Sequence, residues 1–358
     1  MKKTLLLITA LACSMSICGA ETIKANNDKI QYTGRILANE TEGTVSYDWS
    51  ATSLKVKFTG KTLQIRCTDT RRDYFNVWID KAAGTRADNV FSIGSDTTIT
   101  VFKGRKGTHE LIIQKRTEGE QGCITLSEFI TDGTFLQPSP AKPRLIEFIG
   151  DSYTCGYGTE GPSANSPFLP EEENPSLTYA DILGRYFDAE TVHISHSGRG
   201  VVRNYGDFNT HENMVKLYGQ TFDQKDETPW TPTYTPDIVV IYLGTNDFST
   251  GKQPTLRSWC ANYITLLNKV REFHGDVPIL CVASKADPML GTWVKLAVEK
   301  SGLQNVHATA IDEAAHNNTE DLGSNWHPNY SGHRKIAGIM APYIATIANW
   351  QMPFTPYE

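Results

Sequence analysis

Two textures of hydrophobic and polar positions divide the chain. From about residue 30 to residue 136, apolar and polar residues alternate in short runs. Val45-Ser46-Tyr47-Asp48-Trp49, Leu54-Lys55-Val56-Lys57-Phe58, Leu63-Gln64-Ile65-Arg66-Cys67 and Phe75-Asn76-Val77-Trp78-Ile79 are the clearest, followed by Thr98 to Phe102, Glu110 to Ile113 and Ile124 to Leu126. A period of two marks strands with one buried face. Gly60, Gly84, Gly104, Gly107 and Gly119 read as the punctuation between them. Short alternating strands at regular spacing, with no helical period among them, predict an all-β sandwich of jelly-roll type.

The pattern changes across Gln137-Pro138-Ser139-Pro140-Ala141-Lys142-Pro143. Prolines at this density exclude helix and central strand and stiffen the chain into a linker. Beyond it, continuous apolar runs alternate with stretches of helical period. The runs Leu145–Ile149, Thr191–Ile194, Ile238–Leu243, Ile279–Val282 and Val306–Ala310 predict strands; Tyr179–Tyr186, Arg257–Phe273, Trp293–Lys300 and Ser331–Ala348 predict helices. Alternation of this kind builds an α/β domain, a parallel sheet with helices on both faces. The segment from Asn204 to Thr235, with Pro229 and Pro232, predicts an irregular excursion at the rim. The layout is then a sandwich domain over 21–137, a linker over 138–143 and an α/β domain over 144–358.

The first twenty residues follow neither pattern. Lys2 and Lys3 precede an apolar stretch from Thr4 to Ile17, and Gly19-Ala20 gives small residues suited to cleavage. The run is too short to span a bilayer. Export to the periplasm or the outside is expected, with a lipid anchor through Cys13 as the lesser alternative. Removing the leader leaves Cys67, Cys123, Cys155, Cys260 and Cys281. An odd number leaves at least one thiol unpaired; a Cys67–Cys123 bridge and buried free thiols both fit, and the spacing matches no zinc site. The formal net charge is −6 and no basic block occurs, so nucleic acid is not an expected partner. Oligomeric state is not legible.

Chemistry concentrates in four short stretches of the second domain. Gly150-Asp151-Ser152 ends the first predicted strand, His196-Ser197-Gly198-Arg199-Gly200 follows the second, Gly244-Thr245-Asn246-Asp247 follows the third, and Ser324-Asn325-Trp326-His327-Pro328 leads into the last helix. Open parallel sheets build their sites beyond the carboxyl ends of the strands. Acyl transfer needs a nucleophile, a base to take its proton and donors for the oxyanion. Ser152 fits the first part and His327 the second; the N–H groups of Ser152 and Gly198 and the side-chain amide of Asn246 fit the third, with Gly200 as the substitute for Gly198. Asp151 and Asp247 read as supports that bind loop N–H groups. Trp326 beside the base suits stacking on a sugar ring, as aromatic faces match apolar sugar surfaces, and core packing is its plainer alternative. No cluster of Asp, Glu, His or Cys suggests a metal, and no cofactor is expected.

These blocks, in this order, resemble the SGNH (GDSL-type) hydrolases. Together with a preceding jelly-roll domain, Ser197-Gly198-Arg199-Gly200-Val201-Val202-Arg203 and Trp326-His327-Pro328 are similar to the family 2 carbohydrate esterases. The resemblance implies a flavodoxin-like α/β hydrolase domain. It also implies hydrolysis of O-acetyl esters on acetylated polysaccharides or oligosaccharides such as xylan and glucomannan. Its implied roles are Ser152 as nucleophile, His327 as base, and Gly198 and Asn246 as oxyanion donors. The superfamily's usual orienting Asp stands three residues before the His, where this chain has Ser324. Either Asp321 or a main-chain carbonyl then orients His327. Two other readings stand beside this one: a non-catalytic carbohydrate-binding protein using Trp49, Trp78 or Tyr74 as platforms, and an SGNH enzyme acting on lipid or peptidoglycan esters.

Overall fold

The computed structural model describes residues 19–206, 212–224, 227–249, 251–284 and 288–353. Most of the predicted leader, with Cys13, lies outside them, as does part of the 204–235 excursion. In the first domain the strands are β1 (Glu21–Lys24), β2 (Ile30–Thr33), β3 (Leu37–Asn39), β4 (Thr44–Tyr47), β5 (Ser53–Asp69), β6 (Asp73–Ile79), β7 (Asn89–Ile93), β8 (Thr97–Lys115), β9 (Ile124–Thr131) and β10 (Phe135–Leu136). All their pairings are antiparallel, in the order β3-β4-β9-β5-β8-β6-β7, with β1 on β9 and β2 and β10 on β5.

Here the glycines do something other than turn the chain. The runs at 54–58 and 63–67 fuse into the single strand β5, and those at 98–102 and 110–113 fuse into β8. Gly60 and Gly107 face each other where the β5–β8 register shifts. A bulge bends a strand and lets it continue in the other layer, so β5 and β8 each serve both layers of the sandwich. The alternating residues Leu54, Val56, Phe58, Leu63, Ile65 and Cys67 of β5 all point into one core, with Phe75, Val77, Leu111, Ile113 and Phe129.

The second domain begins with β11 (Arg144–Gly150) and adds β12 (Ala189–Ser195), β13 (Ile238–Tyr242), β14 (Ile279–Ser284) and β15 (Val306–Ile311). Its helices are α1 (Ser152–Cys155), α2 (Tyr179–Tyr186), α3 (Met214–Leu217), α4 (Leu256–His274), α5 (Leu290–Ser301) and α6 (Tyr330–Ile347). The sheet is wholly parallel, in the order β12-β11-β13-β14-β15. Strand side chains alternate between two cores. Val239, Ile241, Ile279 and Cys281 meet α4 and α5, whereas Ile238, Val240, Leu280 and Val282 meet α2 and α6. The strand order reverses at β11, which places a switch-point crevice at its carboxyl end. Gly150, at that end, pairs with Ser195 of β12 on one side and Tyr242 of β13 on the other.

The two domains share buried polar contacts. Arg35 of the first donates to the carbonyls of Tyr218 and Gln220, lies 3.8 Å over the Trp230 ring and comes within 3.9 Å of the Glu147 carboxylate on β11. Trp49 is fully buried at the same interface and donates its indole N–H to the Thr221 carbonyl at 2.8 Å. Trp78 is fully buried too. Neither can stack on a glycan, which removes two of the three platforms expected of a binding-only first domain. Cys67, Cys123, Cys155, Cys260 and Cys281 are all buried, and none forms a disulfide among the described residues. The conceivable Cys67–Cys123 bridge is not formed; Cys67 packs in the apolar core of the first domain, where a thiol behaves as a small hydrophobe, and the Cys123 thiol faces the Ile124 carbonyl at 3.8 Å.

Candidate active site

Three strand ends and one loop converge on a cleft of about 660 Å³, lined among others by Ser152, Gly198, Asn246, Trp326 and His327. β11 stops at Gly150, and Asp151 caps the short helix α1 by accepting the Tyr153 N–H at 3.3 Å. Ser152 opens that helix, 8% exposed. Among the described residues neither its N–H nor that of Gly198 has an acceptor within the protein.

Gly198 and Gly200 have different tasks. Gly198 lies on the cleft with φ +76°, and a Cβ there would meet nothing closer than 3.6 Å. It is the backbone conformation, unfavourable for L side chains, that calls for glycine. At Gly200 a Cβ would fall 2.6 Å from the Asp247 carboxylate. That carboxylate accepts the N–H groups of Val201, Val202 and Arg203 at 2.7–3.0 Å. Gly200 therefore makes room for the support that holds the loop, while Gly198 faces the cleft. Asn246, on the 3₁₀ turn Thr245–Phe248, directs its amide nitrogen at the Asp151 carboxylate (3.1 Å) and the Arg199 carbonyl (3.0 Å). Burial lifts the Asp151 carboxyl to about 7, with Asp247 and Glu118 adding like charge against its own N–H bonds.

The loop before α6 brings in the imidazole. Asn325 (φ +52°) and Trp326 (φ +61°) are consecutive left-handed residues. Such a conformation is strained for non-glycine residues and persists where surrounding contacts hold it. Here the Asn325 and Trp326 N–H groups bind the carbonyls of Ser166 and Ala164 at 2.9 and 3.1 Å. The result is a carbonyl turned back onto the ring two residues on: His327 Nδ1 lies 2.8 Å from the Asn325 oxygen, and Nε2 lies 2.9 Å from Ser152 Oγ. A carbonyl can only accept, so Nδ1 carries the proton and Nε2 presents its lone pair to the serine. Burial pushes the ring's pKa down to about 4, only partly offset by the carbonyl. The imidazole is thus neutral at pH 7, with the tautomer a general base needs.

The carboxyl expected near the ring does not touch it. Asp321 accepts from Lys335 (2.6 Å), Ser331 (2.8 Å) and Asn318 (3.0 Å). Ser324 points away and donates to Glu172 at 2.6 Å. Of the two orienters that the residues left open, the main-chain carbonyl is the one within hydrogen-bond range.

Several neighbours escaped sequence reasoning. Tyr157 lies 4.5 Å from the His327 ring and stacks on Phe168; Tyr153 packs edge-on to His327 at 5.7 Å and to the buried His333 and His316. Tyr205 lines the cleft and is 65% exposed, beside Trp326 at 61%. Glu120, from the first domain, also lines it. Tyr153 and Tyr157 follow the nucleophile closely, a signal that was available; nothing in an alternating β pattern marks Glu120. Cys155 is fully buried, its thiol pushed far up by burial and by Glu118 and Glu173, and it donates to Ser195 Oγ at 3.2 Å. That suits packing and not attack. His193 is held between Asp181 and the Thr154 carbonyl. Two buried groupings bring together side chains of the kind that bind metals, Glu118 with Cys155 and Glu173, and Glu118 with His196 and Asp223. In both, Glu118 is already engaged by the Ser197 N–H, and in the second Asp223 is engaged by His196.

Comparison with known proteins bears on this geometry. Residues 148–335 match the GDSL-like lipase/acylhydrolase family, and residues 32–140 match the carbohydrate esterase 2 N-terminal domain. A cellulase/esterase, CelE, of Acetivibrio thermocellus is 30% identical over 92% of this chain, which spans 41% of that protein's length. An acetylxylan esterase/glucomannan deacetylase of Cellvibrio japonicus is 24% identical, with 94% of this chain and 96% of that one covered. Among solved structures, a family two carbohydrate esterase from Clostridium thermocellum in complex with cellohexaose superposes with a TM-score of 0.81 at 27% identity, over 90% of this chain and all of that one. With the GDSL match running from the nucleophile strand into the last helix, and the family 2 domain matched in front of it, the chain belongs to the GDSL-like lipase/acylhydrolase family and, within it, to the family 2 carbohydrate esterases.

Proposed function

We propose that this protein removes acetyl groups from plant polysaccharides of the xylan and glucomannan kind, by way of an acetyl-serine at Ser152. The observation that carries the proposal is the Ser152–His327–Asn325 relay, 2.9 and 2.8 Å, opening on a cleft that holds unpaired N–H donors. Neutral His327 takes the hydroxyl proton as Oγ attacks the acetyl carbonyl. The negative oxygen accepts from the N–H groups of Ser152 and Gly198 and from the Asn246 amide, which turns one hydrogen from Asp151 to do so. The two backbone N–H groups stand ready before reaction, and donors so placed are the largest common contribution to acyl transfer. The tetrahedral intermediate collapses, the sugar oxygen leaves with the proton from His327, and the acetyl group stays on Ser152. Water, deprotonated by His327, then attacks the acetyl-serine; the second tetrahedral intermediate expels Ser152 Oγ, which takes the proton back from His327, and the acetic acid formed leaves and ionises to acetate.

Substrate class rests on the relatives' activities and on the cleft mouth. Trp326 and Tyr205 are large, exposed and at the rim, where a large exposed aromatic suits the apolar face of a sugar. Export is part of the same reading, as polymeric glycans are met outside the cell; mapping the mature N-terminus tests it. The function itself is tested by acetate release from acetylated glucomannan and acetylated xylan, with Ser152→Ala as control. Release abolished in the variant supports the reading; no release by the parent, or release untouched by the substitution, ends it.

A further inference from the structure

The first domain reaches under the site through the turn after β8. Glu118 on that turn is 1% exposed, and its Oε2 accepts the Ser197 N–H at 2.6 Å while lying 3.7 Å from Cys155 Sγ. Ser197 immediately precedes Gly198, and Cys155 belongs to α1, the helix that Ser152 opens. One oxygen from the first domain thus rests against both segments that carry the unpaired backbone donors.

The consequence for Gly198 follows from peptide planarity. Its N–H lies in the plane shared with the Ser197 carbonyl. The plane before it is held by Glu118 through the Ser197 N–H, and its His196 carbonyl accepts the Arg199 N–H at 3.3 Å. The plane after it is held by the Tyr205 N–H on the Gly198 carbonyl at 2.7 Å. With both flanking planes pinned, the Gly198 N–H can change direction only if the whole Ser197–Gly198 peptide flips between them.

The turn that carries this carboxylate is itself braced. The Glu118 N–H binds Glu173 at 3.2 Å, the Lys115 ammonium binds the Glu118 carbonyl at 3.2 Å, and the Gly119 N–H binds Asp223 at 3.1 Å. His196, buried on the same loop, lies 2.7 Å from Asp223 and 3.8 Å from Glu118, and Asp223 is tied back to the first domain by its own N–H on Asp48 at 2.7 Å. Burying a carboxylate here is costly, and for stability alone an apolar group of the same size is often as good or better. What a carboxylate adds is a short, charge-assisted bond with defined geometry.

We propose that Glu118 is a positioning residue for the oxyanion hole: gripping the Ser197 N–H and resting on the Cys155 thiol, it sets the spacing between the Ser152 and Gly198 donors. The first domain is then part of the catalytic unit. This rests on the serine-esterase reading given above.

The test is steady-state hydrolysis of 4-nitrophenyl acetate, paired with inhibition by methylboronic acid, which forms a tetrahedral adduct on a serine. Glu118→Ala should lower kcat by about 10- to 100-fold, on the scale of a displaced or lost donor. KM should change little, and boronate affinity should weaken by a matching factor. Glu118→Gln, which keeps an acceptor at the same reach, should restore kcat to within about threefold of the parent. Should Glu118→Ala not fold, as judged by its melting curve, Glu118→Asp carries the test. It keeps the charge, draws the oxygen back by one methylene and should still lose about tenfold in kcat with the boronate in step. An unchanged kcat, a loss confined to KM, or a boronate affinity that does not move overturns the assignment. If the parent shows no hydrolysis that depends on Ser152, the esterase reading fails instead, and the two failures are told apart.

Discussion

Two loops at the rim of the same sheet each hold an imidazole, half-buried at the cleft in one and buried in the other, and they leave it in opposite charge states. On the loop before α6, His327 Nδ1 meets the Asn325 carbonyl, and burial takes the ring down to about 4. On the loop after β12, His196 Nδ1 meets the Asp223 carboxylate at 2.7–2.8 Å. Burial pulls that ring down as well, but Asp223 and Glu118 outweigh it and raise it to about 9. What differs is the formal charge of the groups facing the ring, and that decides the outcome. One loop needs a base that arrives empty, the other a charged strut between two carboxylates. The replacement of an orienting acid by a carbonyl follows the same logic: the carbonyl fixes the tautomer and leaves the ring neutral.

Removing each ring is the strongest way to break this contrast. His327→Ala should lower kcat/KM for 4-nitrophenyl acetate by at least about 10⁴-fold, as loss of the base does in serine hydrolases. Its urea unfolding should change little by comparison. His196→Ala should do the reverse. It leaves Asp223 and Glu118 buried without their cation, a change that typically costs about 3–5 kcal/mol of stability, while activity falls far less than in His327→Ala. The contrast collapses if His196→Ala keeps full stability and loses activity as deeply as His327→Ala.

The carbonyl was one of two orienters the residues allowed, whereas the contact of Glu118 with the loop was not visible at all, and the reason is physical. Ser152, His327, Gly198 and Asn246 each stand at a strand end or a helix start that hydrophobic periodicity locates, so their convergence follows once the sheet is parallel. The five predicted strands and four predicted helices of the second domain recur with ends moved by at most three residues. The first domain was legible as strands but not in its connections, because Gly60 and Gly107 permit either a turn or a bulge and only pairing across the sandwich selects between them. Glu118 lies in a polar turn of a domain with no chemistry of its own. Its role exists only through contact with Ser197, seventy-nine residues away along the chain, and no local pattern encodes that.

The contrast sharpens when both rings are titrated. Histidine ring NMR, assigned with the two alanine variants, should find His327 neutral at pH 5 and His196 still protonated at pH 8, against about 6.5 for an unperturbed ring. The signs for stability are opposite. His327 has a folded pKa below its unfolded value, so its contribution is present above about 6.5 and is lost as pH falls through about 4. His196 has a raised folded pKa, so its contribution is full below about 6.5 and is lost as pH rises through about 9. Two rings titrating together near 6.5 would sink the account.

The smallest expected effect on catalysis belongs to the acid that the sequence offers as an alternative orienter. Burial alone would raise the Asp321 carboxyl, but the bonds from Lys335, Asn318 and Ser331 outweigh it and hold the group at about 2. All of these partners belong to the frame of the loop and of α6, and none to the His327 ring. Asp321→Ala should therefore leave kcat/KM for 4-nitrophenyl acetate within about threefold of the parent while costing about 1–3 kcal/mol of stability from the lost charge-assisted bonds to the buried carboxylate. Since the folded pKa is depressed, that stabilisation is present above about pH 4 and is lost as pH falls through about 2. The urea midpoints of parent and variant should accordingly differ at pH 7 and draw together in acid. If Asp321→Ala instead lost activity as deeply as His327→Ala, with its fold intact, the carboxylate would have to orient the imidazole through a rearranged loop. The strained pair Asn325-Trp326 would then have no work to do; a carbonyl turned back at 2.8 Å onto Nδ1 is the reason to expect that it does.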